Sequence, residues 1–204
     1  MDDPAAVDDG DLVVRMWSGD TTAFDALYRR YSQRLLGYIH RMTHEQTISQ
    51  DLLQEVFLRL VEGEGRLDPQ RPLPRWLFTV AHNLCCSELR RRQVRRQSEA
   101  TATTEARHLA ESLQPPPPGD GLDEQRFGQR LAEELLHLSA ERRSAFLLRH
   151  GEGFSIAAIS DVLGCPQGTV KSRIFHAARE LAERLRPFDP ATENDPARDG
   201  DPAP

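Results

Sequence analysis

Four consecutive prolines, Pro115–Pro118, sit inside a polar stretch that runs from 97 to 125. Each proline lacks the N–H that a helix or sheet ladder needs and holds φ fixed, so the run stays extended and semi-rigid. Apolar periodicity fails across the same stretch, although "TEARHLAESL" (104–113) is compatible with a short helix. No core continues through such a segment. The chain therefore divides into two small domains, 11–96 and 126–186, joined by a flexible linker at 97–125. An acidic, flexible 1–10 precedes them, and an Asp- and Pro-rich tail at 187–204 has the composition of disorder.

Both domains carry helical spacing, and no segment sustains strand alternation, so the predicted fold class is all-α. "DLVVRMWSGD" is a short amphipathic piece closed by Gly19, and 21–42 places Phe24, Leu27, Tyr31, Leu35 and Ile39 on one face. "TISQDLLQEVFLRLVEG" offers Thr47 or Ser49 as N-cap and Gly63 as a stop. A Pro-broken loop at 64–74 leads into a helix over 75–96 with Leu77, Val80, Ala81 and Leu84 on one face, and Pro74 suits its first turn. Beyond the linker, Ser139 caps "AERRSAFLLRH", and Gly151 and Gly153 interrupt the chain. Ser155 caps "IAAISDVL", Gly164 ends it, and Pro166 opens a last helix that runs to about Arg186.

The chain holds 204 residues with a net charge of −6, but the charge is unevenly placed. Acid lies at the ends, in Asp2, Asp3, Asp8, Asp9 and Asp11 and in Asp189, Glu193, Asp195, Asp199 and Asp201. From Arg75 to Arg96 the one acid, Glu88, faces six arginines. A second basic cluster, Lys171, Arg173, His176 and Arg179, follows Gly164. Local charge decides whether a surface attracts phosphate.

Other classes of function find little support. No apolar run approaches a membrane span. The acidic start lacks the basic-then-apolar order of a signal peptide, so a cytoplasmic location is expected. Cys85, Cys86 and Cys165 make no disulfide framework, and the adjacent pair beside His82 is poorly spaced for tetrahedral zinc. No metal, no cofactor and no covalent chemistry is expected, since no nucleophile–base pair is visible.

Three constellations remain. Helix, tight turn at Gly164-Cys165 and second helix form a helix-turn-helix. On the second helix Val170, Ile174, Ala177, Ala178, Leu181 and Leu185 make an apolar stripe, and Gln167, Thr169, Lys171, Ser172, Arg173, His176 and Arg179 lie largely off it. Such a helix enters the DNA major groove with its N-terminal residues at base edges. Lys171 and Arg173 then meet phosphates, and Gln167 and Thr169 suit closer polar contacts. The plain alternative is a solvated helix face. In the second constellation, Trp76, Phe78, His82 and Asn83 accompany arginines, which suits unstacked bases of a single strand; alternatively the aromatics are core. In the third, Asp51, Gln54 and Glu55 share a face opposite Leu52, Val56, Phe57 and Leu60, fit either for solubility or for docking a basic partner helix.

Together these stretches resemble a small sigma factor of RNA polymerase, of the extracytoplasmic-function (ECF) type. "DLLQEVFLRL" resembles the family's polymerase-docking helix, and "RWLFTVAHNLCCSELRRR" the segment that opens and reads the promoter −10 element. "GFSIAAISDVLGCPQGTVKSRIFHAARELAERL" resembles the −35-reading helix-turn-helix. The resemblance implies that 11–96 is sigma domain 2 and 126–186 is sigma domain 4. It implies that Asp51, Gln54 and Glu55 meet the β′ clamp helices of core polymerase, with the β subunit a further partner. It assigns Arg75, Trp76, His82, Asn83, Ser87, Arg90, Arg91 and Arg92, with the 62–75 loop, to melted −10 DNA. Gln167, Gly168, Thr169, Lys171, Ser172, Arg173, His176 and Arg179 are assigned to −35 duplex. An anti-sigma protein is a further implied partner. His82 stands where the family often has Arg, and Ser87 where Asp is common, which bears on −10 preference. Ala157 and Ala158 replace frequent carboxylates, and Cys165 fills a usually aliphatic place. The rival readings are a sigma-like decoy that binds only an anti-sigma protein and an ordinary helix-turn-helix regulator. An enzyme using Cys85 or Cys86 is more distant.

Overall fold

The computed structural model describes residues 7–63, 72–100 and 122–186, and these form helices without strands. Helix α1 (Asp9–Trp17) starts at Asp8, whose carboxylate accepts from the Gly10 N–H at 2.8 Å. Gly19, at φ +92°, turns the chain into α2 (Thr21–Thr43). Asp20 caps α2 by accepting from the Thr22 and Ala23 N–H groups. The Thr22 hydroxyl, then Arg15, hold the Asp20 carboxyl down to about 2.

Helix α3 (Gln46–Val61) begins earlier than its sequence signals suggest. Its N-cap is Glu45, without a side-chain cap bond, and neither Thr47 nor Ser49 caps it. Ser49 is instead buried, donating to the Glu45 carbonyl at 2.5 Å and meeting the Thr43 hydroxyl at 3.0 Å. The hydroxyl thus fastens the α2–α3 turn from inside the first helical turn. Helix α4 (Leu73–Ala100) carries Pro74 in its first turn, where a missing N–H costs nothing. It spans 28 residues, about 42 Å at 1.5 Å per residue, and extends beyond the expected end at 96.

In the second domain α5 is Leu122–Leu135 and α6 is Ala140–Phe146, capped by Ser139. A single π-helical turn, Leu147–Gly151, continues α6. Helix α7 (Ile156–Leu163) starts at Ser155 and stops at Gly164, which adopts the left-handed conformation at φ +59°. Helix α8 is Gln167–Leu185, with Pro166 at its N-cap. Most of the linker, the possible 104–113 helix, the loop from 64 to 71 and the tail from 187 lie outside the described residues.

Leu27, Leu35, Ile39, Val56, Leu60, Leu77 and Phe78 are buried in the first core, and Leu148, Ile159, Val162, Val170 and Ala177 in the second. The two cores are continuous. Helix α4 packs on α7, and α2 and α4 also reach α6. Phe78 and Phe154 meet edge to face across this seam at 5.2 Å.

Candidate functional site

The helix-turn-helix is assembled by local bonds. The Ser155 hydroxyl accepts from the Ala158 N–H, and Ser160 Oγ donates to the Cys165 carbonyl at 2.6 Å, pinning the turn. Val170, Ala177 and Leu181 bury one side of α8, whereas Ala178 is exposed and falls off the expected stripe. Gln167, Gly168, Lys171, Ser172, His176 and Arg179 are exposed together. Arg179 is held beside Glu183 at 2.9 Å. Thr169 and Arg173 are half-buried, and Arg173 Nη1 turns back to within 3.4 Å of Cys165 Sγ. Phe175 is 63 % exposed, three residues after Ser172 and four before Arg179. Sequence reasoning passes over it because it adjoins the stripe residue Ile174. The usable signal is an aromatic at i+3 from a candidate base-contacting residue.

On α4 the predicted residues separate. Asn83, Ser87, Arg90 and Arg91 are exposed, and their spacing of four, three and one residues keeps them on one side of the helix. Trp76 is half-buried and packs against the core, as the core reading of it expects, with part of its surface left exposed. Arg92 is drawn inward, with ion pairs to Glu45 at 2.8 Å and Glu88 at 3.0 Å and a bond to the Thr43 carbonyl. It fastens α4 to the α2–α3 turn. Arg75 pairs with Asp161 of α7 at 2.6 Å. His82 is only 9 % exposed and lies against α6, so in this closed arrangement it meets no base.

On α3, Asp51 and Gln54 are exposed and Glu55 is half-exposed, paired with Arg59 at 2.8 Å. They border a groove of about 670 Å³ that is lined by Phe24, Tyr28, Leu58 and Val61 as well. Leu58 is 51 % exposed and Val61 46 % exposed. The sequence reading found the acids and missed this apolar floor, although Leu58 follows Gln54 by one helical turn. An apolar strip with an acidic margin suits a helix with apolar and basic residues.

Cys85 and Cys86 are poor nucleophiles. Burial pushes the Cys85 thiol up to about 12 and raises that of Cys86. Among the described residues no cluster of His, Cys, Asp or Glu is placed to hold a metal ion, and no helix is long and apolar enough to cross a membrane.

Known proteins share this organisation. Sigma-70 region 2 matches residues 27–95, and Sigma-70 region 4 matches 128–181. RNA polymerase sigma-H factor of Pseudomonas aeruginosa is 31 % identical over 186 residues, covering 88 % of this chain and 95 % of that protein. ECF RNA polymerase sigma factor SigL of Mycobacterium tuberculosis is 33 % identical over 162 residues, covering 79 % of this chain and 88 % of that protein. Sigma factor RpoE bound to the anti-sigma factor NepR, from Bartonella quintana, shares the fold with a TM-score of 0.62 at 24 % identity, covering 80 % of this chain and 96 % of that one. CnrH, solved with the cytosolic domain of CnrY, gives a TM-score of 0.64 at 22 % identity, covering 89 % of this chain and 99 % of that one. With both sigma regions matched in order, and near-complete coverage of its relatives, the chain belongs to the ECF-type sigma factors of RNA polymerase.

Proposed function

We propose that this sigma factor recruits core RNA polymerase to promoters through three separate surfaces. The groove edged by Asp51, Gln54 and Glu55 takes the β′ clamp helices, with Tyr28, Leu58 and Val61 supplying apolar contact. The exposed side of α8 enters the −35 major groove. Gln167, Ser172 and His176 reach base edges, Lys171 and Arg179 meet phosphate, and Phe175 offers apolar surface to a thymine methyl group. Asn83, Ser87, Arg90 and Arg91 hold the melted −10 strand, where Arg meets backbone and Asn an unstacked base. Arg75 and His82 join this track only after the seam between α4 and α7 opens.

The exposed polar and basic side of α8, on a helix whose other side is core, carries this reading. The protein acts by binding, without catalysis of its own, and in the cytoplasm. An anti-sigma protein is the proposed regulator, because the sigma factor RpoE of similar fold was solved with one. Run-off transcription tests the whole. Core polymerase plus this chain should give a promoter-dependent transcript that core alone does not make. No transcript from any member of a library of randomised −35 and −10 elements would remove the proposal.

A further inference from the structure

Three polar side chains from three helices meet in the seam between the domains. Tyr38 of α2 places its hydroxyl 2.7 Å from Ser144 Oγ of α6, and Ser144 Oγ lies 2.9 Å from His82 Nδ1 of α4. Tyr38 and Ser144 have no solvent exposure, and His82 has 9 %. Phe78 stands edge to face with Tyr38 at 5.4 Å and with Phe154 at 5.2 Å, so the surroundings are apolar. With the neutral ring carrying its proton on Nε2, which faces Cys86 Sγ at 3.6 Å, the chain is satisfied: Nδ1 accepts from Ser144 at 2.9 Å, with the Tyr38 hydroxyl also 3.4 Å away, and the two hydroxyls bond each other. A proton on Nδ1 turns that nitrogen from acceptor to donor and leaves one of the two hydroxyl protons without an acceptor in the triad.

We propose that Tyr38, His82 and Ser144 form a polar latch that holds the second domain closed over α4, and that protonation of His82 opens it without unfolding either domain. Burial, and then the nearby Arg173 charge, push the His82 imidazole down to about 4, while Glu141 opposes them. The groups around it are Tyr38 from α2, Cys86 from α4, Glu141 and Ser144 from α6, and Arg173 from α8. Opening returns the ring to water and to its ordinary value of 6.5. A group depressed in the closed form favours closure above 6.5, and that preference drains away as pH falls from 6.5 through 4. Between pH 7.5 and pH 5.0 the closed–open equilibrium shifts toward open by about 30-fold. The consequence for DNA, that opening frees His82 and Arg75 for the −10 strand, rests on the promoter reading; the latch itself does not.

Small-angle X-ray scattering of the full chain, extrapolated to infinite dilution, tests the latch. On going from pH 7.5 to 5.0 the radius of gyration should rise reversibly while far-ultraviolet circular dichroism stays constant. His82→Gln keeps an acceptor and cannot titrate here, so it should stay compact at both values. Carboxylates at the seam, Glu152 and Asp161, also face arginines. Equal expansion of His82→Gln would assign the effect to them and overturn the proposal, as would an unchanged radius in the wild type. A second measurement needs no variant: NMR of the His82 ring should give an apparent pKa well below 6.5, and a value at 6.5 also overturns the latch.

Discussion

Arg143 is 6 % exposed and has no carboxylate partner among the described residues. Its guanidinium donates to the carbonyls of Met42 at 2.5 Å, Leu136 at 2.9 Å and Leu138 at 3.1 Å. Met42 lies in the last turn of α2, and Leu136 and Leu138 follow α5, so the cation sits where two helices present unsatisfied carbonyls and negative dipole ends. Burial lowers its pKa, but an arginine starts high enough to stay charged. Arg143→Ala strands three buried acceptors and should cost about 2–4 kcal/mol in denaturant unfolding. Arg143→Lys should recover less than half, because a compact ammonium does not match three divergent carbonyls. Full recovery by Lys would show that charge alone matters. Nothing near Arg143 in the sequence announces this role. It sits in an ordinary Arg-Arg pair, and its neighbour Arg142 pairs instead with Glu180 at 3.2 Å.

Elements follow local rules more closely than residues do. Ser139, Ser155 and Gly164 are legible in the sequence because a cap acts within three or four residues. The end of α4 is less so: apolar spacing fades after Leu89, yet 90–100 contain neither Gly nor Pro and the helix continues. The α3 groove shows what one helix face hides. Its acids are the feature on which the proposed docking surface rests, but part of its apolar lining comes from Phe24 and Tyr28 on α2, which no reading of α3 alone supplies. Leu58→Ser should therefore leave stability within about 0.5 kcal/mol, since Leu58 is half exposed. The same change should weaken capture of core polymerase about tenfold or more by surface plasmon resonance. Unaltered capture would move the docking surface elsewhere. On α8 two substitutions should differ in kind. Lys171→Ala should weaken −35 binding evenly across sequences and reduce the salt slope by about 1. Phe175→Ala should leave the slope intact and cost about 1–2 kcal/mol on sites that carry the contacted thymine. Identical salt slopes in both variants would refute the division of labour.

Closure of the whole molecule is the feature least accessible to sequence reasoning. Its bonds join positions 62, 106 and 118 residues apart, a separation at which no periodicity speaks. Two domains and a linker are visible from composition, but their docking depends on the shape match of Phe78 with Phe154 and on Glu152 reaching α2. The promoter makes that docking consequential. Elements centred at −10 and −35 are about 25 base pairs apart, roughly 85 Å at 3.4 Å per step. Helix α4 is about 42 Å long, and α7 rests against it, so the closed molecule cannot cover both elements. Glu152 is the best point at which to weaken the seam. Its side chain is 4 % exposed and meets Arg34 at 3.0 Å and Arg41 at 3.8 Å. Both arginines are about two-fifths exposed and regain water on opening, so Glu152→Ala should favour the open form by only about 1–2 kcal/mol, or about 5- to 30-fold. Its effects on DNA should be unequal. Closure covers His82 and engages Arg75, whereas the outer side of α8 stays exposed throughout. Fluorescence anisotropy at pH 7.5 should therefore show Glu152→Ala binding a −10 single strand several-fold more tightly than the wild type, with −35 duplex affinity unchanged. A parallel gain on both DNAs would mean that the seam masks α8 as well. No gain on the single strand would mean that Arg75 and His82 take no part in holding it.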